Sequence, residues 1–273
     1  MNFKNEKSSI LNKKTDVDIL ASITRHLTGD LGAVTTNSVV DLKHHRKSPN
    51  PGVEATKPKF QLLTPNSQIF FKFGLTDNEI CAELLAYHLG TLMNIDVAKT
   101  ALALYKDVVG IASWGIGDFS EPDDTVSYSI LDFVHLDGFI EMCLFDYLIM
   151  NEDRHAGNWC IQNFSVAPLF DHNVCFGGEN SPIDPNSFMA KLTSPLDTGT
   201  DYNQLHDSIL ELLYQLEGGK VERFLSTLHG LGDASTEIDV LHKLYPKQYA
   251  IIKKLLNIRT EYMSRRVGEL RGR

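Results

Sequence analysis

Cysteine is scarce in this chain: there are four in 273 residues, at positions 81, 143, 160 and 175. They are widely spaced and form no CxxC pair, which excludes a zinc knuckle and the disulfide framework of a small secreted domain. Cys81, Cys143, Cys160 and Cys175 are therefore expected as buried apolar fillers. Positive charge is also short, with 26 Lys plus Arg against 35 Asp plus Glu and a net charge of −9. Such a field repels a phosphate backbone, so no direct nucleic-acid binding is expected. There is no run of 18 apolar residues, hence no expected membrane span, and the opening MNFKNEKSSILNKKTD lacks an apolar stretch of signal-peptide length. The expectation is a cytoplasmic protein, with secretion as an effector left open. No internal repeat or low-complexity tract is present, and the glycines do not assemble into GxxxxGK[ST], which excludes a Walker A loop.

What is present is an ordinary globular composition, 42% hydrophobic and 22% charged, in a chain long enough for one large domain or two lobes. HHRKSPNPGVEATKPK, residues 44 to 59, is basic and punctuated by Pro51 and Gly52, as a flexible loop is. FQLL, the turn TPNSQ and IFFKFG then predict a β-hairpin with Lys72 in its second strand. A helix follows, capped by Asp77, with Ile80, Cys81, Leu84, Leu85, Leu89 and Leu92 as its apolar stripe. VAKTALALY and VVGIASW, at 97 to 105 and 108 to 114, predict two more strands, and the acidic GIGDFSEPDD marks a lobe boundary. Beyond it, GFIEMCLFDYLIM predicts a helix that breaks at NEDRHAGN, and a hairpin runs from WCIQ to APLF. After an irregular segment at 172 to 200, LHDSILELLYQLE and HKLYPKQYAIIKKLLNIRTEYMSRRVGEL predict long helices. The fold class expected is α+β and two-lobed: residues 1–116 form a small β-rich lobe with one main helix, and 117–273 a larger, mainly helical lobe.

In NEDRHAGNW, Asp153 and Asn158 stand five apart, the D-x-x-x-x-N spacing of phosphoryl-transfer loops. There a carboxylate orients the incoming hydroxyl while a neutral amide ligates magnesium without adding charge against the nucleotide. A polar helix terminus explains the pair equally well by itself. The hairpin that follows carries the chain out and back, so that Asp171 in LFDHN can return beside Asn158 as a second metal ligand; a turn cap is the plain alternative. Lys72 lies between Phe71 and Phe73, so strand alternation can turn its ammonium to a cleft while the rings face the core. Glu79 and, one turn later, Glu83 can each pair with it, and Glu79 is the preferred partner. Lys59 and the backbone of PGVEATKPK can cover phosphates, or form only a solvated basic loop. Trp114, with Gly115 and Ile116, stands where the chain crosses between lobes and either contacts a purine or fills the core. His155 orients Asp153, contacts phosphate, or is a structural loop histidine. His44 and His45 are loop residues, and Ser48 and Thr56 are hydroxyls suited to self-phosphorylation.

The order of these parts, KPKFQLL, FFKFG, DNEICAELLAYHLG, LFDYLIMNEDRHAGNW and APLFDH, resembles the HipA-like serine/threonine kinases, which include persistence toxins and the compact CtkA-type kinases. DRHxxN followed by an Asp after a hairpin is similar also to phosphatidylinositol kinases, which share the protein-kinase-like fold. The resemblance runs in scattered blocks from about residue 52 to about residue 180. It implies ATP and Mg2+ as cofactors and a Ser/Thr hydroxyl of a protein as acceptor, with an antitoxin or host protein as partner. It also implies residue roles: Asp153 as catalytic base, Asn158 and Asp171 as metal ligands, Lys72 and Glu79 as the nucleotide-anchoring pair. Of the phosphate-covering loop, which has one glycine here, only Lys59 matches. SWGIGDF replaces the charged hinge of the toxins, whose N-terminal extension is mostly lacking. Two rivals remain: a metal-dependent phosphohydrolase with Asp153, His155, Asp171 and His172 as ligands, and a nucleotide-binding pseudokinase or scaffold. A lipid acceptor also stays open.

Overall fold

The computed structural model describes residues 24–25, 39–48, 58–63, 68–106, 108–115, 130–151, 153–154, 158–166, 168–176 and 202–273. Pro51, Gly52, Thr56, Ile116 and His155, and the segments 117–129 and 177–201, lie outside them. The chain divides into two compact units. One comprises Met1–Tyr87, Ala98–Gly115 and Ile238–Ala250, the other His88–Val97, Ile116–Glu237 and Ile251–Arg273.

The first unit is built on a seven-stranded sheet in the order β1-β2-β6-β7-β5-β4-β3. Its strands are β1 (Thr24–Arg25), β2 (Val39–Asp41), β3 (Arg46–Lys47), β4 (Lys59–Leu63), β5 (Gln68–Phe73), β6 (Thr100–Tyr105) and β7 (Val108–Trp114). The expected hairpin is β4 with β5, and the expected strand pair is β6 with β7, both antiparallel. β1 and β2 instead run parallel to β6. Arg46 and Lys47 form a short edge strand against β4 within the stretch expected to be loop, and Lys47 sets its ammonium 3.7 Å from the Phe60 ring centroid. Alternation splits the sheet into two faces. Val40, Leu42, Leu62, Ile69, Phe71, Ala101, Ala103, Tyr105, Ala112 and Trp114 form one hydrophobic cluster. Lys72 points to the opposite face. Gly110 is required at its place, because a Cβ there would lie 2.1 Å from the Lys72 carbonyl oxygen and 2.8 Å from the Phe71 ring.

Helix α1 (Asp77–Leu92) follows β5. Its cap is Thr76 rather than Asp77. Glu79 N–H donates to Thr76 Oγ1 at 3.3 Å, and Thr76 N–H donates to Glu79 Oε2 at 2.7 Å, a reciprocal capping box. Ile80, Cys81, Leu84, Leu85 and Leu89 are buried as expected, but so are Ala82, Glu83 and Ala86, whereas Leu92 is exposed. The helix is thus buried round most of its circumference, as its weak amphipathicity requires. All four cysteines are buried and free. Burial, with Asp77 nearby, pushes the Cys81 thiol up to about 12.

The second unit centres on helix α3 (Phe139–Ile149), in which every residue but Glu141 is buried. The short α2 (Ile130–Phe133) precedes it, and the hairpin β8 (Ile161–Gln162) and β9 (Ser165–Val166) follows it. Asn163 and Phe164, both at positive φ, turn that hairpin. Helix α4 (Tyr202–Leu231) is broken at Glu217, where φ is −144° and ψ 48°. The last helical run is not continuous. It divides into α5 (Asp239–Leu244) and α6 (Pro246–Arg271), because proline forces the preceding Tyr245 out of the helical region and is itself suited to a first helical turn. Asp207 of α4 ties three helices together, accepting from Tyr147 Oη at 3.0 Å and Tyr262 Oη at 2.8 Å and pairing with Arg266 Nε at 3.1 Å. Among the described residues no helix is long and apolar enough to cross a membrane.

Candidate active site

In the first unit Lys72 is buried on β5, and its Nζ donates to Glu83 Oε1 at 2.6 Å. Glu79, the expected partner, is engaged in the Thr76 cap one helical turn earlier. The capping requirement at the start of α1 claims the nearer glutamate, and the next turn supplies the carboxylate that faces the strand. Lys59 stands directly opposite Lys72 in the β4–β5 register, so both side chains leave the same face of the sheet, with Lys59 half-buried. Trp114 does not share that face. It is paired with Ile69 and belongs to the hydrophobic cluster on the other side, so its indole fills core and is not free to stack on a purine beside Lys72.

In the second unit the loop expected to carry catalysis grows out of the end of α3. Asp146 in the last turn of that helix is the lone acid of an otherwise apolar run, and it is fully buried. Asn151 Nδ2 donates to Asp146 Oδ1 at 2.9 Å, and Asn151 Oδ1 accepts from Asp153 N–H at 3.1 Å. Asn158 Nδ2 in turn donates to the Asp153 backbone oxygen at 2.8 Å and lies 3.4 Å from Asp153 Oδ2. A chain of side-chain bonds thus runs from the helix through Asn151 to Asp153 and Asn158. The nitrogen of the Asn158 amide is thus the atom turned to Asp153, and Oδ1 is the amide's acceptor. Trp159 anchors the far end of the loop, buried edge-on against Phe133 with centroids 5.3 Å apart and near Phe139 at 6.1 Å.

Arg154 is the residue that the sequence reading missed. Its side chain is wholly buried. Nε donates to Asp146 Oδ2 at 2.9 Å and Nη2 to Asp146 Oδ1 at 3.0 Å, a two-pronged pair. Nη1 donates to the Asn158 carbonyl at 2.5 Å and to the Phe170 carbonyl at 3.0 Å. Burial alone lowers the affinity of this guanidinium for its proton, but the charge and hydrogen bond of Asp146, with Cys175 and Asp171 nearby, raise it above the ordinary value. The signal that could have found it is Asp146 itself: an acid inside LFDYLIM demands a buried cation, and Arg154 is the first one downstream.

The shared Nη1 brings the Phe170 and Asn158 carbonyls to one atom, so Asp171 returns next to the Asn158 segment across the β8–β9 hairpin. Asp171 itself has φ 62°, a left-handed conformation uncommon for a non-glycine residue and a mark of local constraint. Next to it, Nη2 of Arg154 meets His172 Nε2 at 3.0 Å. Since a guanidinium only donates, Nε2 accepts and carries no proton. That lone pair is therefore engaged, and a buried cation stands where a phosphohydrolase metal ligated by this nitrogen would have to sit. Among the described residues no three His, Cys, Asp or Glu side chains are grouped to hold a metal ion. The oxygens of Asn158 and Asp171 are hard donors of the kind magnesium takes beside a nucleotide's phosphates.

No protein-family model matches the chain, and no curated protein matches it. Among solved structures it is similar to the proinflammatory kinase CtkA of Helicobacter pylori, with a TM-score of 0.51 at 17% identity, over 85% of this chain and 99% of that one. The likeness establishes the fold: a mixed α+β, kinase-like architecture with a sheet-rich N-terminal part and a helical C-terminal part.

Proposed function

We propose that the protein is a kinase that uses Mg2+ and ATP to phosphorylate a Ser or Thr hydroxyl of a protein. The observation that carries this reading is the bonded series Asp146, Asn151, Asp153, Asn158, which holds a carboxylate and an amide oxygen in one short loop with Asp171 returning beside it. Asn158 and Asp171 would hold magnesium, which would supply positive charge to offset that of the nucleotide's phosphates. Asp153 orients the acceptor hydroxyl and takes its proton as the new bond from hydroxyl oxygen to γ-phosphorus forms. The bond from that phosphorus to the bridging oxygen breaks, and ADP leaves with the electron pair. The buried Lys72–Glu83 pair is the counterpart of the strand-lysine and helix-glutamate pair that anchors nucleotide phosphates in protein kinases. Catalysis of this kind is positioning and electrostatics rather than covalent chemistry.

The test is Asp153→Asn. Asp153 is half-buried and its side chain lies at the end of the hydrogen-bonded series, so the substitution preserves shape and leaves the anchors to Asp146 intact. Transfer of labelled γ-phosphate to protein Ser or Thr should fall by about 10²–10⁴-fold, with the thermal midpoint little changed. Wild-type rates in the folded variant would refute the assignment.

A further inference from the structure

We propose that Arg154 is a positioning residue that sets metal affinity: its guanidinium fixes the spacing between the segment carrying Asn158 and the segment carrying Asp171. The inference rests on the kinase reading and assigns a task within it to a residue that touches neither substrate nor metal. Nη1 donates to the carbonyl of Asn158 and to the carbonyl of Phe170, the residue before Asp171. Those two carbonyls come from opposite sides of the β8–β9 hairpin, and both present negative dipoles to the same point. Without a cation between them they repel each other. Nε and Nη2 meanwhile grip both oxygens of Asp146, so the spacing is referred to the buried helix α3 rather than to another loop. The contact of Nη2 with His172 Nε2 fixes the chain on the far side of Asp171 as well. Asp171 is thus held through both of its neighbours by one side chain with no exposed surface, where water cannot substitute for the lost donors.

A residue that merely supports folding gives the same static picture, so the test must read metal affinity in folded protein. Arg154→Lys keeps the charge opposite Asp146 but replaces a planar five-donor fork with a point charge that cannot serve Asp146, both carbonyls and His172 together. Mn2+ stands in for Mg2+, and binding is titrated by electron paramagnetic resonance with the protein saturated by a non-hydrolysable ATP analogue. The Mn2+ dissociation constant should rise about tenfold or more in Arg154→Lys. The affinity for the analogue without metal should stay within about twofold. Leu213→Ala, a deletion in the buried part of α4, is the destabilised control and should lower the thermal midpoint without moving the Mn2+ constant. A folded Arg154→Lys protein that binds Mn2+ as wild type does overturns the inference and leaves the kinase reading standing. Wild type that binds neither analogue nor Mn2+ overturns both.

Should Arg154→Lys not fold, the unaltered protein still decides. The guanidinium nitrogen resonances of Arg154, recorded with the analogue bound, should shift on addition of Mg2+ as the two carbonyl segments tighten. Unmoved resonances would count against a positioning role.

Discussion

Removing the carboxylate of Glu83 strands a buried ammonium. Lys72 and Glu83 are both nearly inaccessible and 2.6 Å apart, so their mutual attraction acts where water screens little. Breaking such a pair from one side usually destabilises by about 3–5 kcal/mol. Glu79, four residues earlier, works at the surface: it closes the Thr76 cap, a contribution of about 0.5–2 kcal/mol. Denaturant unfolding should therefore rank Glu83→Ala well below Glu79→Ala in stability. The reverse order would show that the cap, not the ion pair, dominates this end of α1. At this scale the sequence was only partly legible. Lys72 declared itself through its aromatic neighbours, but Glu79 and Glu83 lie on one helical face and only the cap geometry separates them. Arg154 was hidden for another reason, since its partners stand 4, 8, 16 and 18 residues away and no local spacing rule joins them.

Elements rather than residues decide how Lys72 is presented. β5 is clamped between β4 and β7, and the β5–β7 contact is close only because position 110 has no side chain. A methyl there meets the Lys72 carbonyl, which is backbone, and the Phe71 ring, which is core. Neither yields cheaply, so Gly110→Ala should cost about 1–3 kcal/mol, within the range of overpacking. It should also lower nucleotide affinity by shifting the strand that carries Lys72. Denaturant unfolding and nucleotide titration of the same variant check the two effects together; an alanine protein of wild-type stability would mean that β5 and β7 part more readily than the register suggests. Antiparallel pairs such as β4–β5 and β6–β7 were legible because a hairpin is written in contiguous residues. The parallel additions were not: β2 pairs with β6, which lies far downstream, and β1, only two residues long, pairs with β2 rather than through a hairpin. The break at Tyr245 was legible in principle, since Pro246 marks it.

The whole molecule carries net charge −9, yet the reaction proposed for it needs a polyanion. The field that argues against nucleic acid also opposes free ATP, and magnesium reduces the ligand's charge before binding. Stabilisation by the two components together should therefore exceed that by either alone. At a hundredfold excess over its dissociation constant, a ligand of the folded state contributes about 2.7 kcal/mol, and in a chain of this size that moves the thermal midpoint by on the order of 5 °C. Mg2+ with a non-hydrolysable ATP analogue should produce this shift, while Mg2+ alone should produce almost none, because the two protein ligands assigned to it, Asn158 and Asp171, leave coordination positions for phosphate oxygens. A phosphohydrolase with its own metal cage behaves differently: metal without nucleotide would give most of the stabilisation. Differential scanning fluorimetry over a grid of metal and analogue concentrations separates the two. The full shift appearing along the metal axis alone would sink the kinase reading, whereas curvature that grows only where both are present follows from a site that borrows part of its metal shell from the nucleotide.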